Sequence, residues 1–378
     1  MRHLIRLPAF AKINLGLKII ARRPDGYHEI RTVYQTVGLS DEVEISIVPN
    51  ARAGTSPGLS EDDVEVMADH PTVPSGPANL AYRAAESWKR ARGFRGGIKV
   101  RLAKRIPAGS GLGGASSDAA VTVLGLERLT GDRLDLTQRV ELAAGLGSDV
   151  PFFLWGGRAL GCGRGEEIYP LVDLPPRHCL IIFPGFSVST AEAYQEASRR
   201  LGLLRSGFGV RDSGFAEEQG FRVRALGLAE EQAFAVRDSG LAEQEPEYSS
   251  SANPEPRRTL RGSKIDSSSP LTTQEESRRL TVFGERPHFS LQEWGPAEND
   301  FEQVVFAKWP ELAKLKRRLI RAGAEVASLT GSGSAIYAVF PSARKLTLAS
   351  KLIPGGWQAF ETRTLSRAEY LKAVVSDE

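Results

Sequence analysis

The stretch whose residue types most plainly imply chemistry is Pro107-Ala-Gly-Ser-Gly-Leu-Gly-Gly-Ala-Ser-Ser117. Gly109, Gly111, Gly113 and Gly114 alternate with small residues. Glycines reach backbone conformations closed to other residues and let the main chain come close to a ligand. Before the loop, Ile98, Val100, Leu102 and Ile106 follow a mostly alternating strand pattern, and after it Ala119, Val123, Leu126 and Leu129 recur at helical spacing. The order is therefore strand, glycine loop, helix start. Unpaired N–H groups of a first helical turn, together with the helix dipole, favour an anion. Ser116 and Ser117 add two hydroxyls on that turn. The stretch reads as a cradle for the phosphates of a nucleotide. The competing reading is a turn that packs a helix close to a strand. Gly109 to Gly114 also satisfies G-x-G-x-x-G, a weak signal alone, and the chain has no G-x-x-x-x-G-K-[ST].

Four other places carry polar groups that chemistry would use. Lys12 and Asn14 lie two residues apart in an alternating segment and so point the same way. A solvated strand face explains them equally well. Tyr27 and His28 follow the turn signal Arg22-Arg-Pro-Asp-Gly26. Asp149 stands in Gly147-Ser-Asp-Val-Pro-Phe-Phe153, at a helix-to-loop junction where a capping role is the simple alternative. Thr190 heads a helical pattern, and Tyr194 lies one turn beyond it.

These residues need elements to position them. Leu7–Ile20 is extended, with Ile13, Leu15, Leu17 and Ile19 on its apolar face. Ile30–Leu39 and Asp41–Val48 read as second and third strands, and residues 49–76 as loop. Asn79 is an N-cap for a helix carrying Leu80, Ala84 and Trp88 on one face and closing at Gly93. Leu136–Leu146 is another helix. The five glycines between Gly156 and Gly165 imply tight strands or a domain junction. Leu180–Phe183 is a buried strand, Ser187–Arg200 a helix, and Pro310 starts a helix that Gly323 closes. Thr330-Gly-Ser-Gly-Ser334 is a second glycine loop between strands at Ala324–Leu329 and Ala335–Phe340, where a plain hairpin turn is the alternative. Leu346–Lys372 reads as a helix and a short strand.

Residues 203–288 differ in composition. Ser, Glu, Arg, Gly and Pro dominate, and Val210-Arg-Asp-Ser-Gly recurs as Val236-Arg-Asp-Ser-Gly. Two copies do not build a solenoid. The segment is expected to be a low-complexity insertion without stable order.

The 378 residues suffice for two domains. Lys and Arg number 49 against 46 Asp and Glu, so no basic field points to nucleic acid as a partner. The start of the chain has no apolar stretch of signal-peptide length, and no run approaches the ~20 apolar residues of a membrane span. Cys162 and Cys179 are the two cysteines, which fits a reducing cytoplasm.

Pro107–Ala120 resembles the phosphate loop of the GHMP kinases, the family of galactokinase, homoserine kinase and mevalonate kinase. Ala9–Leu15, Arg23–Glu29 and Ser148–Phe153 narrow the resemblance to the branch that acts on a cytidine diphosphate-linked methylerythritol. Thr330–Ser334 matches that branch's C-terminal glycine motif. The resemblance covers roughly residues 1–200 and 295–345. It implies an α+β fold of two α/β domains with the active site in the cleft between them. The expected domains are 1–160 and 161–378, the second interrupted by the insertion. The implied reaction is transfer of the ATP γ-phosphate to the C2 hydroxyl of the methylerythritol unit. In that comparison Asp149 matches a catalytic base and Lys12 its partner. Pro107, Ala108, Gly109, Ser110, Gly111, Leu112, Gly113, Gly114, Ala115, Ser116 and Ser117 match the ATP loop. Asn14, Tyr27, His28, Thr190 and Tyr194 match positions that hold the substrate, with Tyr27 and Tyr194 on either side of cytosine. Mg²⁺ is expected with ATP, without an assigned protein ligand, and a monomer or homodimer is expected. Ala115 departs from the family, which usually has a third consecutive Gly there; an Ala is tolerated unless the position needs positive φ.

The chemistry is coherent with that resemblance. Phosphoryl transfer rests on positioning and charge stabilisation. A carboxylate of ordinary pKa, ~3.9, is ionised at neutral pH and can accept an alcohol's proton. A sibling kinase acting on another alcohol is the nearest alternative. A dinucleotide-dependent oxidoreductase would need a strand ending in an acid about 20 residues past the loop, where Asp132 and Asp135 instead precede a helical pattern.

Overall fold

The computed structural model describes residues 3–48, 64–203 and 298–376. These described parts form one compact unit. The insertion expected at 203–288 lies, apart from its first residue, outside the described residues.

The first sheet is built around a long hairpin. β1 (Leu4–Arg22) pairs antiparallel with β2 (His28–Val48) through the turn that the Arg-Pro-Asp-Gly signal marks. The two strands expected at 30–39 and 41–48 are thus one. Ser40 does not end the strand; a register shift opposite Phe10 and Ala11 absorbs the irregularity. A second shift falls between Asn14 and Gly16, where the Thr32 hydroxyl donates to the Gly16 carbonyl at 2.7 Å. β2 continues to β4 (Gly97–Ala103), which pairs in parallel with β3 (Val64–Ala68), and on its other side to β5 (Arg158–Cys162) and β6 (Glu167–Pro170). β3 corrects the reading of 49–76 as loop. Val64 and Val66 do alternate inward, but acidic neighbours mask the pattern.

Two helices pack on this sheet, α1 (Leu80–Arg92) and α2 (Gly114–Thr130), and α3 (Leu136–Leu146) packs against them. Asn79 caps α1 by accepting from Ala81 N at 2.8 Å, and Gly93 closes it at φ 59°. α2 is buried on nearly every side, as its apolar composition all round requires. Asp135 caps α3 in a reciprocal capping box with Gln138.

The second sheet has β7 (His178–Phe183) between β10 (Gln358–Arg363) and β9 (Ile336–Phe340), with β8 (Val326–Leu329) at its edge. α4 (Thr190–Arg200), α5 (Glu302–Lys308), α6 (Pro310–Arg321) and α7 (Ala343–Ser350) accompany it. The last helix, α8 (Arg367–Val374), returns to the first sheet's core, where Tyr370 and Val374 are fully buried.

The two sheets meet through a core of their own. Ala11, Ile13 and Val37 of the hairpin pack with Ile181, Tyr337 and Val339 of the second sheet. The hairpin is therefore buried on both faces at its middle, and Lys12 and Asn14 are only 2% and 1% exposed. The reading of those two as a solvated face does not hold.

Candidate active site

The glycine loop contacts both halves of the fold. Gly111 shows why. Its φ is +84°, and a Cβ there would fall 2.2 Å from the Thr330 carbonyl oxygen of the second glycine loop. Only glycine permits that backbone and that approach. The Ser110 carbonyl accepts from Ala335 N at 3.1 Å, and the Leu112 carbonyl accepts from Lys12 N at 2.9 Å. The N–H groups of 109–113 find no acceptor among the described residues. Gly113, at φ +76°, opens α2, whose first turn carries Ala115, Ser116 and Ser117. Ala115 lies inside the helix, so the family's missing glycine costs no left-handed conformation there. The Ser117 hydroxyl is buried without a partner on the same turn, a donor set open to an anion or its counter-ion.

A buried ion cluster braces the loop from behind. Lys104 contacts Asp118 at 2.5 Å and also pairs with Asp41. Asp41 accepts from Arg105 N at 2.5 Å and from Ile106 N at 2.8 Å, so one carboxylate fixes the strand that enters the loop. Burial pushes the Asp118 carboxyl well up from its ordinary range, partly offset by the Lys104 charge. No motif pointed to this trio, because its members lie on β2, after β4 and on α2.

Inside the loop lies a cleft of about 810 Å³. Lys12, Asn14, Tyr27, His28, Gly111, Ser116, Asp149, Thr190 and Tyr194 all line it. Pro107 and Ala108 instead face a second hollow of about 800 Å³. Ser110 and Leu112 are buried, and the Ser110 hydroxyl donates to the Pro107 carbonyl at 2.6 Å.

At the floor of the cleft the Lys12 ammonium sits 3.4 Å from Asp149 Oδ2. Lys12 is almost wholly buried, whereas the Asp149 side chain is about one-third open, at 34%. Asp149 follows α3 in a turn and caps no helix; that work falls to Asp135. The Lys12 ammonium also donates to Asn14 Oδ1 at 2.7 Å, and that oxygen accepts from Gly331 N at 2.8 Å. Asn14 Nδ2 donates to the Thr32 hydroxyl at 2.7 Å. Asn299, just ahead of α5, holds the second glycine loop by donating to the Leu329 and Gly331 carbonyls, each at 2.9 Å. The sequence reading missed Tyr34, whose hydroxyl donates to Asp149 Oδ1 at 2.9 Å, and Asn299.

Farther along the cleft the aromatic groups gather. His28 and Tyr194 stack with centroids 4.7 Å apart and planes at 15°. His28 Nε2 meets the Ser198 hydroxyl at 2.5 Å. Burial, and then the nearby Arg22 charge, lower the His28 pKa, so the ring is neutral at pH 7. Tyr27 is 54% exposed, and the Arg164 guanidinium covers its ring at 4.9 Å from the centroid. The Thr190 hydroxyl is 3.0 Å from that of Ser332, which ties α4 to the second glycine loop. The arrangement offers N–H groups for phosphates, a buried ammonium beside a one-third-open carboxylate, and rings for a planar base.

Among the described residues no cluster of three His, Cys, Asp or Glu could hold a metal. A Mg²⁺ that arrives on a nucleotide keeps most of its ligands from phosphate and water and needs one or two protein oxygens. The Ser116 hydroxyl in the cleft lining and the unpartnered Ser117 hydroxyl fit that demand. No helix among the described residues is long and apolar enough to cross a membrane.

The family model for the GHMP kinases N terminal domain matches residues 79–157, and that for the GHMP kinases C terminal matches 288–352. The 4-diphosphocytidyl-2-C-methyl-D-erythritol kinase of Solibacter usitatus is 38% identical over 364 residues, covering 96% of this chain and 90% of that protein. The enzyme of the same name from Moorella thermoacetica is 31% identical over 96% of this chain and 99% of its own length. A crystal structure of 4-(cytidine 5'-diphospho)-2C-methyl-D-erythritol kinase superposes with TM-score 0.60 at 28% identity, covering 95% of this chain and 99% of that one. Homoserine kinase from Cytophaga hutchinsonii, at 17% identity and TM-score 0.55, shares the fold.

Proposed function

Because the chain belongs to the 4-diphosphocytidyl-2-C-methyl-D-erythritol kinases, a branch of the GHMP kinases, we propose that the Lys12–Asp149 pair transfers the ATP γ-phosphate to the C2 hydroxyl of that substrate. The observation that carries this reading is the 3.4 Å approach of a buried ammonium to a one-third-open carboxylate at the floor of the cleft.

The steps follow from the geometry. The free N–H groups of the glycine loop and the first turn of α2 hold the triphosphate, and the rings of Tyr27, His28 and Tyr194 hold the cytosine. Thr190 and Asn14 flank the methylerythritol. Asp149 Oδ2 accepts the alcohol's proton as the new O–P bond forms and the bond to the ADP oxygen breaks. Lys12 faces the charge that spreads over the phosphoryl oxygens in transit. Asn14 fixes the ammonium, so it needs no reorganisation during transfer. Mg²⁺ bound with ATP would neutralise phosphate charge, and the Ser116 and Ser117 hydroxyls would help to hold it. Alignment of alcohol and phosphate in the cleft can supply about 7–11 kcal/mol of the barrier reduction. We place the reaction in a reducing compartment, the cytoplasm, where the free thiols Cys162 and Cys179 keep their form.

The test is a coupled ADP-release assay with ATP and the cytidyl alcohol, run beside homoserine and mevalonate. Turnover with the cytidyl substrate alone is expected. Faster turnover of another alcohol would overturn the substrate assignment.

A further inference from the structure

Tyr34 sits in a slot made for it. Its ring is 1% exposed and lies 4.9 Å from Phe152, centroid to centroid. Two glycines of the run between Gly156 and Gly165 clear the space. A Cβ on Gly161 would fall 2.5 Å from Tyr34 Cε2, and one on Gly165 2.5 Å from the hydroxyl. Part of that glycine density thus has a reason in one side chain.

The slot aims the phenol at the pair on the cleft floor. The hydroxyl donates to Asp149 Oδ1 at 2.9 Å; the Gly165 carbonyl is the more distant acceptor, at 3.4 Å. The Lys12 ammonium lies over the Tyr34 ring, 5.4 Å from its centroid. A carboxylate on a turn can rotate about its last bond. A buried donor on one oxygen stops that rotation and leaves the other oxygen facing Lys12, at 3.4 Å.

We propose that Tyr34 is a positioning residue for the base: it holds Asp149 Oδ1, so that Oδ2 alone meets the acceptor alcohol beside Lys12. The proposal rests on the kinase reading above and adds a residue to it. Burial and the Asp149 charge raise the phenol's pKa well above its ordinary value, so it stays a donor throughout the working pH range. The titratable and charged groups that face Asp149 are Lys12, Tyr34 and, farther off, Tyr194, while Glu166 faces Tyr34.

Tyr34→Phe removes the hydroxyl and keeps the ring in its slot. The expected result is a kcat about tenfold lower, an ATP KM unchanged within twofold, and an acid limb of the kcat profile moved up by about one pH unit. In the Asp149→Asn background the same change should lower kcat by less than twofold, since the two residues act as one unit. An infrared difference spectrum at neutral pH, taken against Asp149→Asn, reads the carboxylate without any acceptor alcohol. Its stretching bands should shift in Tyr34→Phe, because Oδ1 loses its hydrogen bond. Wild-type kcat and pH profile in Tyr34→Phe would overturn the proposal, as would an equal loss in both backgrounds or carboxylate bands that do not move. A wild-type protein inert toward the cytidyl alcohol would overturn the substrate reading instead, and the infrared result would still decide the role of Tyr34.

Discussion

Asn14 Oδ1 accepts a hydrogen bond from Gly331 N at 2.8 Å, so β1 and the second glycine loop share one side-chain oxygen. The same oxygen takes the Lys12 ammonium at 2.7 Å and lies 3.2 Å from the Thr330 hydroxyl. Asn14 therefore does more than flank a ligand. It closes the floor of the cleft around the Lys12 ammonium.

Replacing Asn14 tests that closure. Asn14→Ala takes one acceptor from the buried Lys12 ammonium, which keeps Asp149, and the acceptor of the part-buried Gly331 N–H, each at a cost of about 1–3 kcal/mol. Denaturant unfolding should show a loss of at least about 2 kcal/mol, with kcat lowered as Lys12 loses its fixed position. A loss below about 0.5 kcal/mol, the range of ordinary surface changes, would mean that the network holds nothing together.

The base assignment has its own test. Asp149→Asn keeps the size of the side chain and removes its ability to take a proton. Turnover should fall by roughly 10²–10⁴, the usual worth of general-base catalysis. Binding of a fluorescent ATP analogue should stay within a few-fold. If turnover remained near wild type, the proton would have another acceptor.

Two substitutions in the phosphate loop should behave oppositely. Gly111→Ala drives a Cβ to 2.2 Å from the Thr330 carbonyl in a left-handed conformation, and backbone cannot step aside cheaply. ATP affinity should drop at least tenfold, with a lower melting temperature. Ala115→Gly restores the residue common in the family at a helical position, where glycine costs only about 0.5–1 kcal/mol. Its ATP KM should match the wild type. Isothermal titration with ATP reads both, and equal losses would mean that the loop is not held as described.

The buried cluster behind the loop predicts a dependence of stability on pH. Asp118 moves from 3.8 to about 7 in the folded chain, chiefly because it is buried. Its folded pKa lies above its unfolded one, so the folded state binds the proton more tightly. The stabilisation this gives is complete below about pH 4 and fades as pH rises through about 7. Asp118→Asn removes that titration. Across this window the melting temperature of the variant minus that of the wild type should become steadily more positive with pH. A flat or falling difference would show that Asp118 stays ionised beside Lys104.

Much of this protein can be read along the chain, because turn chemistry, capping and apolar period are local properties. The glycine loop, the Asn79 cap and the hairpin turn at Pro24–Gly26 all appear where neighbouring residues place them. Among the elements that escaped, which include α5 and α8, two did so for plain local reasons. β3 has acidic residues around Val64 and Val66, and β2 runs on through Ser40 because a register shift with β1 replaces the expected break. What no local pattern contains is which distant side chains meet. Lys12 reaches Asp149 because the hairpin and the turn after α3 pack against one core, and Asn14 reaches Gly331 because the second sheet closes on that hairpin. Tyr34 reads from its own neighbours as one more inward strand residue. Its hydroxyl finds a carboxylate because two glycines on the facing strand and its turn leave space for the ring. Periodicity sets which face a residue takes, whereas its partner is set by how the packed faces fill volume, and that exists only once the chain has folded.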